Sequence, residues 1–216
     1  MSTSLPTANQ ATIIIFAKAP VAGKVKTRLT TQLSPTEAAQ LHQQLVFHTL
    51  NMATEKSIAN VELWCAPDCS HAFFQHCRET YALSLHQQLG NNLGQRMHHA
   101  VENVLTRSQC CLIIGTDCPE LNHQHFADTF ASLGAGHDCV ITPATDGGYV
   151  MLGLGQNNAL LFEDIRWGEE SVYEETVVRL KSLSWRWQEK SALNDIDHPH
   201  DLALLAGITL PDPALP

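Results

Sequence analysis

The sequence predicts a three-layer α/β domain built on a mostly parallel central sheet. Three features support this: continuous β-branched apolar runs, stretches with apolar residues at helical spacing between those runs, and strong helix-start signals. Strands that alternate with helices imply right-handed crossovers, so neighbouring strands lie parallel and helices cover both faces of the sheet. The 216 residues favour a single domain over 1–216, with a core at about 11–206.

The elements can be assigned in order. The run ATIIIFA at 11–17 has no polar alternation, which is typical of a strand buried on both faces. Ser34, Pro35 and Glu37 form a capping-box pattern with proline in the first turn, so a helix is expected over 35–55. The later elements alternate in the same way: strands at 61–65, 83–87 and 110–115, helices near 70–80, 93–106 and 122–133, strands at 138–142 and 149–154, a helix at 169–183, an extended segment at 184–188 and a helix at 199–205.

The alternation stops after residue 142. Asp146-Gly147-Gly148 separates two strand-like segments with no helix between them. A connection this short cannot make a parallel crossover. A small mixed or antiparallel extension of the sheet is therefore expected there.

Composition excludes several classes of protein. The chain is 44% hydrophobic and 16% charged, which is typical of a globular domain. Its net charge of -9 has the wrong sign for coating nucleic acid, so no nucleic-acid partner is expected. No apolar run approaches the roughly 18 residues of a membrane span. Seven cysteines, an odd number, and the absence of a signal-peptide pattern at the N-terminus predict a cytoplasmic protein.

Ligands of open parallel sheets bind beyond the carboxyl ends of the strands, so the loops at those ends are the candidate sites. After the first strand, Lys18, Lys24, Lys26 and Arg28 place four of the thirteen basic residues within eleven positions, with Thr27 among them. The loop has neither the Walker A spacing nor the dinucleotide glycine pattern. Side-chain charge is therefore expected to hold phosphate groups there. The alternative is a solvated basic loop.

Asp117 follows the buried strand at 110–115 directly and is placed to hold a hard cation such as Mg²⁺ against a diphosphate. The alternative role, capping the helix that begins near Asn122, places Asp117 too far upstream. In 195–197, Asp195 and Asp197 point to the same side of an extended segment and could share that cation. Asp197 or His198 could instead cap the helix at 199–205.

Asp146, Gly147 and Gly148 allow a ligand close access to the main chain, and Asp146 could accept hydrogen bonds from sugar hydroxyls. A tight hairpin turn of the Asp-Gly type explains the same residues equally well.

Five motifs occur in a characteristic order: FAKAPVAGKVKTRL (16–29), NLGQRM (92–97), GTDCPEL (115–121), PATDGGYVMLGL (143–154) and DIDHPHDL (195–202). Together they resemble the nucleotide-diphospho-sugar transferase superfamily, which has a Rossmann-like GT-A fold. They most resemble its bacterial branch of glycosyltransferases found beside radical-SAM proteins and linked in some cases to arsenosugar biosynthesis. The resemblance covers nearly the whole chain, from Ile13 to Leu205.

The resemblance implies roles for the motif residues. Residues implied to contact the nucleotide and its phosphates are Lys18, Lys24, Lys26, Thr27, Arg28 and Arg96, although Arg96 is equally suited to a structural role at a helix start. Residues implied to bind Mg²⁺ or Mn²⁺ are Asp117, Asp197 and Asp195. Residues implied to line a donor-sugar or acceptor pocket are Asp146, Gly147, Gly148 and Trp167. Asp146 and Lys26 are the candidate catalytic residues.

Two departures from the family pattern leave alternatives open. His198 and His200 replace Thr and Glu of an Asp-Thr-Pro-Glu-Asp pattern, so a histidine could take part in metal binding. Gln95 stands where Glu is expected.

The expected activity is metal-dependent glycosyl transfer from a nucleotide-sugar donor to a small-molecule acceptor. One alternative is nucleotidyl transfer from a nucleoside triphosphate to a sugar phosphate or a similar small phosphate. A second is a nucleotide- or sugar-binding module without catalysis. The sequence leaves the base, the sugar, the acceptor and a homodimeric state open.

Overall fold

The structure is a computed structural model that describes residues 10–212. Residues 1–9 and 213–216 of the expected domain, which include most of the N-terminal segment and the end of the tail, lie outside the described residues. The strands are β1 (Ala11–Lys18), β2 (Asn60–Ala66), β3 (Ser84–Gln87), β4 (Cys110–Ile114), β5 (Cys139–Pro143), β6 (Tyr149–Leu154) and β7 (Trp187–Glu189). The α-helices are α1 (Pro35–Thr54), α2 (Ala72–Tyr81), α3 (Leu93–Leu105), α4 (His123–Gly134) and α5 (Val172–Ser182).

The seven strands form one sheet in the order β3-β2-β1-β4-β6-β5-β7. All neighbours are parallel except β6, which runs antiparallel to both β4 and β5. The predicted α/β class, with a mostly parallel sheet and an antiparallel part, is confirmed. β6 runs antiparallel to β5 because the short connection between them forces the chain to run straight back along its neighbour.

Alternate residues of β1 pack on opposite faces of the sheet, which produces the three layers. Ile13 and Ile15 belong to a core cluster that includes side chains of α1, α2 and α4. Ile14 belongs to a second cluster that includes side chains of α3 and α5. All five residues of β4 are buried, as expected for a strand covered on both sides. In residues 10–212, no helix has the combined length and apolar character needed to cross a membrane.

The predicted start of α1 is confirmed in detail. The Glu37 backbone N–H donates to Ser34 Oγ at 3.2 Å, and the Ser34 N–H donates to Glu37 Oε2 at 2.7 Å. These reciprocal bonds satisfy two backbone donors that an uncapped helix would leave without partners.

The structure differs from the predicted elements by one to three residues at several boundaries, and in three further ways that affect the loops around the carboxyl edge of the sheet. A short 3-10 helix at Thr27–Thr31 lies within the basic loop, where no helix was predicted. Residues 166–171 form turns, so α5 begins at Val172 instead of residue 169. The predicted helix at 199–205 is a 3-10 helix, Pro199–Leu205.

The segment before this last 3-10 helix returns to the carboxyl end of β4. Ile196 is fully buried in a small cluster with Leu29, Leu41 and Leu45. Its N–H donates to the carbonyl oxygen of Asp117 at 2.8 Å. The packing of one isoleucine thus places its two acidic neighbours beside the loops that follow β1 and β4.

Candidate functional site

Two adjoining cavities, of about 440 and 260 Å³, lie beyond the carboxyl ends of β1 and β4. This is the edge where open parallel sheets bind ligands. Phe16, Arg28, Leu93, Gly115 and Asp197 line both cavities. The larger one, called the cationic cavity below, is lined by all five predicted phosphate-binding residues of the loop after β1: Lys18, Lys24, Lys26, Thr27 and Arg28.

Lys26 lies at the centre of an ion-pair cluster. Its side chain is 3% exposed, and Nζ lies 2.8 Å from Asp117 Oδ1 and 3.9 Å from Asp197 Oδ1. Nζ also donates to the carbonyl oxygen of Ile196. The Lys26 backbone has a φ of 48°, a left-handed conformation that is uncommon for a residue with a side chain. Arg28 completes the cluster by pairing with Asp197 Oδ2.

The environment of Asp117 keeps this carboxylate ionised. Desolvation by the surrounding atoms would raise the pKa of Asp117, but the charge of Lys26 and its hydrogen bond to the carboxylate hold the pKa below its ordinary value. The side chain is still 41% exposed to the cationic cavity. Asp117 can therefore meet a ligand as an anion.

His42 also lines the cationic cavity, from α1. The ring is 5% exposed, and Nε2 donates to the carbonyl oxygen of Lys18 at 2.9 Å. Burial lowers the pKa of His42, against the opposing effect of the nearby Asp117 charge. A neutral imidazole thus helps fix the start of the basic loop.

Four aspartates line the two adjoining cavities. Asp146, Asp195 and Asp197 line the smaller cavity, and Asp117 and Asp197 line the cationic one. Burial raises the pKa of Asp195 to about 6, and the negative charges of Asp146, Asp197 and Asp117 add to the rise. In the described residues, Lys26 and Arg28 form ion pairs with two of these aspartates, Asp117 and Asp197.

Asn194 anchors the N-terminal end of the acidic segment, residues 195–197. Its N–H donates to Glu120 Oε2 at 2.8 Å, and its side-chain oxygen accepts from Thr145 Oγ1 at 3.0 Å. The loops after β4 and β5 are thereby tied to the segment that carries Asp195.

The four aspartates provide some, but not all, of the ligands that a divalent cation needs. In the described residues, no three or more His, Cys, Asp or Glu side chains already converge on one point in a way that could hold a metal ion. Carboxylate oxygens are nevertheless the ligands that Mg²⁺ prefers, and Mg²⁺ commonly takes one or two carboxylates and completes its shell with phosphate oxygens and water. Asp146 and Asp195 have no ion-pair partner in the part of the chain that the structure describes, so they add negative charge that a divalent ion would offset.

The smaller cavity has a more apolar lining and is called the sugar cavity below, because Asp146, Gly148 and Trp167, which the sequence analysis predicts to line a sugar or acceptor pocket, line it. Trp167, Tyr149 and Met97 contribute to it, and Asp146 and Gly148 form part of its polar side. The rings of Tyr149 and Trp167 meet edge to face at 6.4 Å between centroids. Aromatic walls with a few polar groups are typical of sites that bind small organic ligands.

A third, open groove of about 880 Å³ adjoins the sugar cavity and shares Arg28, Asp146, Gly168 and Glu169 with it. Its lining includes the two histidines that depart from the family pattern, His198 and His200, and the predicted pocket residue Gly147. The two imidazole rings stack with centroids 5.6 Å apart. Arg28 lines all three spaces.

A hydrogen bond and a close main-chain contact fix the conformation of the loop at 145–148. Asp146 Oδ1 accepts from the Gly148 N–H at 2.9 Å. Gly147 has a φ of 93°, and a Cβ added there would lie 2.0 Å from the carbonyl oxygen of Glu170. The glycine is therefore required by the close approach of residue 170, at the turn before α5.

Arg96 is not brought into this cluster. Its Nε donates to the carbonyl oxygen of Gly90 at 3.0 Å, a contact within the turn before α3. The remaining predicted residues all line one of the three spaces, and their individual roles in binding stay predictions.

His42 and Gln88 line the cationic cavity but were not predicted from the sequence. Gln88 Nε2 donates to the carbonyl oxygens of Trp64 at 2.7 Å and Ala17 at 3.3 Å. Of these two residues, only His42 could have been found from the sequence. It is a titratable residue that interrupts the apolar face of α1, between Leu41 and Leu45.

Comparison with solved structures supports the superfamily inferred from the five motifs. A crystal structure described as a "putative nucleotide-diphospho-sugar transferase" from Desulfovibrio desulfuricans G20 aligns with a TM-score of 0.83 and 27% identity, covering 91% of this chain and 86% of that one. The expected superfamily is confirmed.

Two further structures share the fold at low identity. They are 4-diphosphocytidyl-2C-methyl-D-erythritol synthase from Anaerococcus prevotii DSM 20548 (TM-score 0.58, 11% identity, 90% and 95% of the two chains) and CMP:2-keto-3-deoxy-manno-octonic acid synthetase in complex with CTP (TM-score 0.53, 11% identity, 91% and 98%). At this identity the likeness establishes the fold alone.

No curated protein matches the chain by sequence. The family model DUF2064, described as "uncharacterized protein conserved in bacteria", matches residues 49–169, which is more than half of the chain. This match includes the Asp117 loop and the Asp146-Gly147-Gly148 loop. The chain therefore belongs to the DUF2064 family of bacterial proteins.

Proposed function

We propose that the chain is a nucleotide-sugar transferase, and specifically a metal-dependent glycosyltransferase that moves a sugar from a nucleotide-sugar donor to a small-molecule acceptor. The observation that carries the proposal is the row of three adjoining spaces at the carboxyl edge of the sheet. Glycosyl transfer needs room for a diphosphate, a donor sugar and an acceptor. The similarity to the Desulfovibrio protein supports the transferase class.

The cationic cavity is the proposed place of the donor diphosphate. Lys18, Lys24 and Arg28 have exposed side chains that can turn toward phosphate oxygens. Charge-assisted hydrogen bonds from lysine and arginine to phosphate are about twice as strong as neutral ones. Because these cations also face the leaving diphosphate, they would stabilise the charge that develops as the glycosidic bond breaks.

Asp117, Asp195 and Asp197 are the residues that would hold Mg²⁺ or Mn²⁺. When bound, the ion would supply further compensation of charge on the leaving diphosphate. The position of Asp195 beside the paired carboxylates, with no ion-pair partner of its own in residues 10–212, supports this assignment.

The sugar cavity would receive the donor sugar, with Trp167 as one wall. Asp146 lies between this cavity and the open groove, so it is placed to orient an acceptor hydroxyl or to take its proton. The Gly148 N–H fixes one of its oxygens, which leaves the other for the acceptor.

Nucleotidyl transfer is the second candidate, favoured by the cationic cavity being larger than the sugar cavity. A nucleoside triphosphate needs more cationic space than a diphosphate does. A non-catalytic nucleotide-binding module remains the third candidate.

One set of incubations separates the three candidates. The protein with Mg²⁺ is offered a panel of nucleotide sugars with acceptor sugars, and separately nucleoside triphosphates with sugar phosphates. Release of nucleoside diphosphate is expected in the first set, whereas pyrophosphate release in the second would replace glycosyl transfer with nucleotidyl transfer. Nucleotide-induced thermal stabilisation without turnover, unchanged by metal or by Asp117→Ala, would favour the binding module.

Cation binding should depend on pH through Asp195. Because its pKa is raised to about 6, the carboxyl is protonated below that pH and becomes a charged ligand above it. We expect Mn²⁺ affinity, measured by electron paramagnetic resonance, to rise severalfold between about pH 5 and 8. Asp195→Asn should flatten that part of the rise. An unaltered pH profile in this variant would remove Asp195 from the cation site.

A further inference from the structure

We propose that Lys26 is a resident counter-ion that competes with a divalent cation for Asp117 and Asp197, so that the cation and the nucleotide bind cooperatively. The inference rests on the metal dependence proposed above, and it concerns what Lys26 itself does. It replaces a direct catalytic or phosphate-binding role of Lys26 with a positioning role.

Two of the three hydrogen-bond donors of Lys26 are already used within the protein. An ammonium group has three donors. The Ile196 carbonyl and Asp117 Oδ1 each take one, and Asp197 Oδ1 lies 3.9 Å away on a third side. With 3% of the side chain exposed, Lys26 has little surface left for a ligand phosphate. Lys24 lines the same cavity with an exposed side chain and no ion pair in the described residues.

The Lys26 ammonium also occupies the space between the carboxylates of Asp117 and Asp197. A divalent ion bound by both Asp117 and Asp197 would share this space with Lys26, and like charges at such short range repel strongly in a partly desolvated site. The protein alone is therefore expected to bind the cation weakly.

A nucleotide changes this balance. Its phosphates bring negative charge to the cationic cavity, which offsets the repulsion between the ammonium and the cation, and they also supply ligands to the metal ion. The cation and the nucleotide each therefore raise the affinity of the protein for the other. Such coupling is reciprocal: the cation raises nucleotide affinity by the same factor as the nucleotide raises cation affinity.

The test measures Mn²⁺ binding in the absence of nucleotide. Bound Mn²⁺ is determined from the loss of the electron paramagnetic resonance signal of free Mn²⁺. Lys26→Met is compared with wild type and with Lys24→Met, which removes the same charge from the same cavity without touching the carboxylates. We expect Lys26→Met to bind Mn²⁺ at least about tenfold more tightly than wild type, and Lys24→Met to change the affinity by less than about threefold. Mn²⁺ should also raise the Tm of Lys26→Met more than that of wild type.

Lys26→Gln covers the case in which the methionine variant does not fold, because its amide can still donate to the Ile196 carbonyl. The probes are the nucleoside diphosphates UDP, CDP, ADP, GDP and dTDP. Equal Mn²⁺ affinity in the Lys26 and Lys24 variants, with wild type binding Mn²⁺ in the presence of at least one of these probes, would overturn the competition alone. Absence of Mn²⁺ binding by wild type with every probe would overturn the proposed metal dependence as well.

Discussion

Asp117→Asn is expected to lower kcat/KM of the proposed transferase by at least about 10³-fold. The change keeps the size of the side chain and removes its charge. It takes away the closest ion-pair partner of Lys26 and one of the three carboxylates assigned to the cation. The backbone bond from Ile196 to the Asp117 carbonyl should survive, so the acidic segment stays in place. The loss should therefore appear in both nucleotide-dependent Mn²⁺ binding and turnover.

The stability cost of this variant should be moderate. Removing one member of a fully buried ion pair costs about 3–5 kcal/mol, but Asp117 is 41% exposed and Lys26 keeps the Ile196 carbonyl and Asp197 nearby, so about 1–2 kcal/mol is expected. Urea unfolding measures this. Asp128→Asn is the control: this exposed carboxylate on α4 accepts a hydrogen bond from Gln124 and lines none of the three spaces of the site. Turnover by Asp117→Asn above a tenth of the Asp128→Asn rate would contradict the proposed role.

The strands and the location of the site could be predicted because both depend on local patterns. Continuous apolar runs such as 11–17 and 110–115 identify strands buried on both faces, and the residues directly after them mark the ligand edge of a parallel sheet. Asp117 and the basic loop could be found in this way. The order of the five motifs along the chain then indicated which loops belong to the same site.

The arrangement inside the site could not be predicted, because it depends on contacts between distant parts of the chain. Lys26 appeared to be a phosphate ligand on charge alone. Its engagement within the protein follows from the burial of Ile196, 170 positions later in the chain, which brings a carbonyl group and Asp197 against the ammonium. The antiparallel segment was expected as an extension, and its place between β4 and β5 is likewise a property of the whole sheet.

Gly147→Ala should be the most destabilising small substitution in the site loops. The residue has a φ of 93°, where a Cβ costs about 1–2 kcal/mol. That Cβ would also lie 2.0 Å from the carbonyl oxygen of Glu170, so backbone must move. The Gly147 carbonyl accepts from the Tyr173 N–H at 2.8 Å, which ties this loop to the first turn of α5. A total loss of about 3–5 kcal/mol follows, because both sides of this contact are main chain.

Gly168→Ala separates the steric contribution from the backbone strain. Gly168 has a φ of 90°, nearly the same as that of Gly147, but no atom lies within 4 Å of its added Cβ. It should lower the Tm by only about 2–4 °C, whereas Gly147→Ala should lower it by roughly 10 °C or more. Equal losses in the two variants would show that Glu170 does not press on the loop. Because Asp146 and Gly148 flank the displaced residue, Gly147→Ala should also raise KM for the acceptor while Mn²⁺ binding with nucleotide persists, since the cationic cavity is built from other loops.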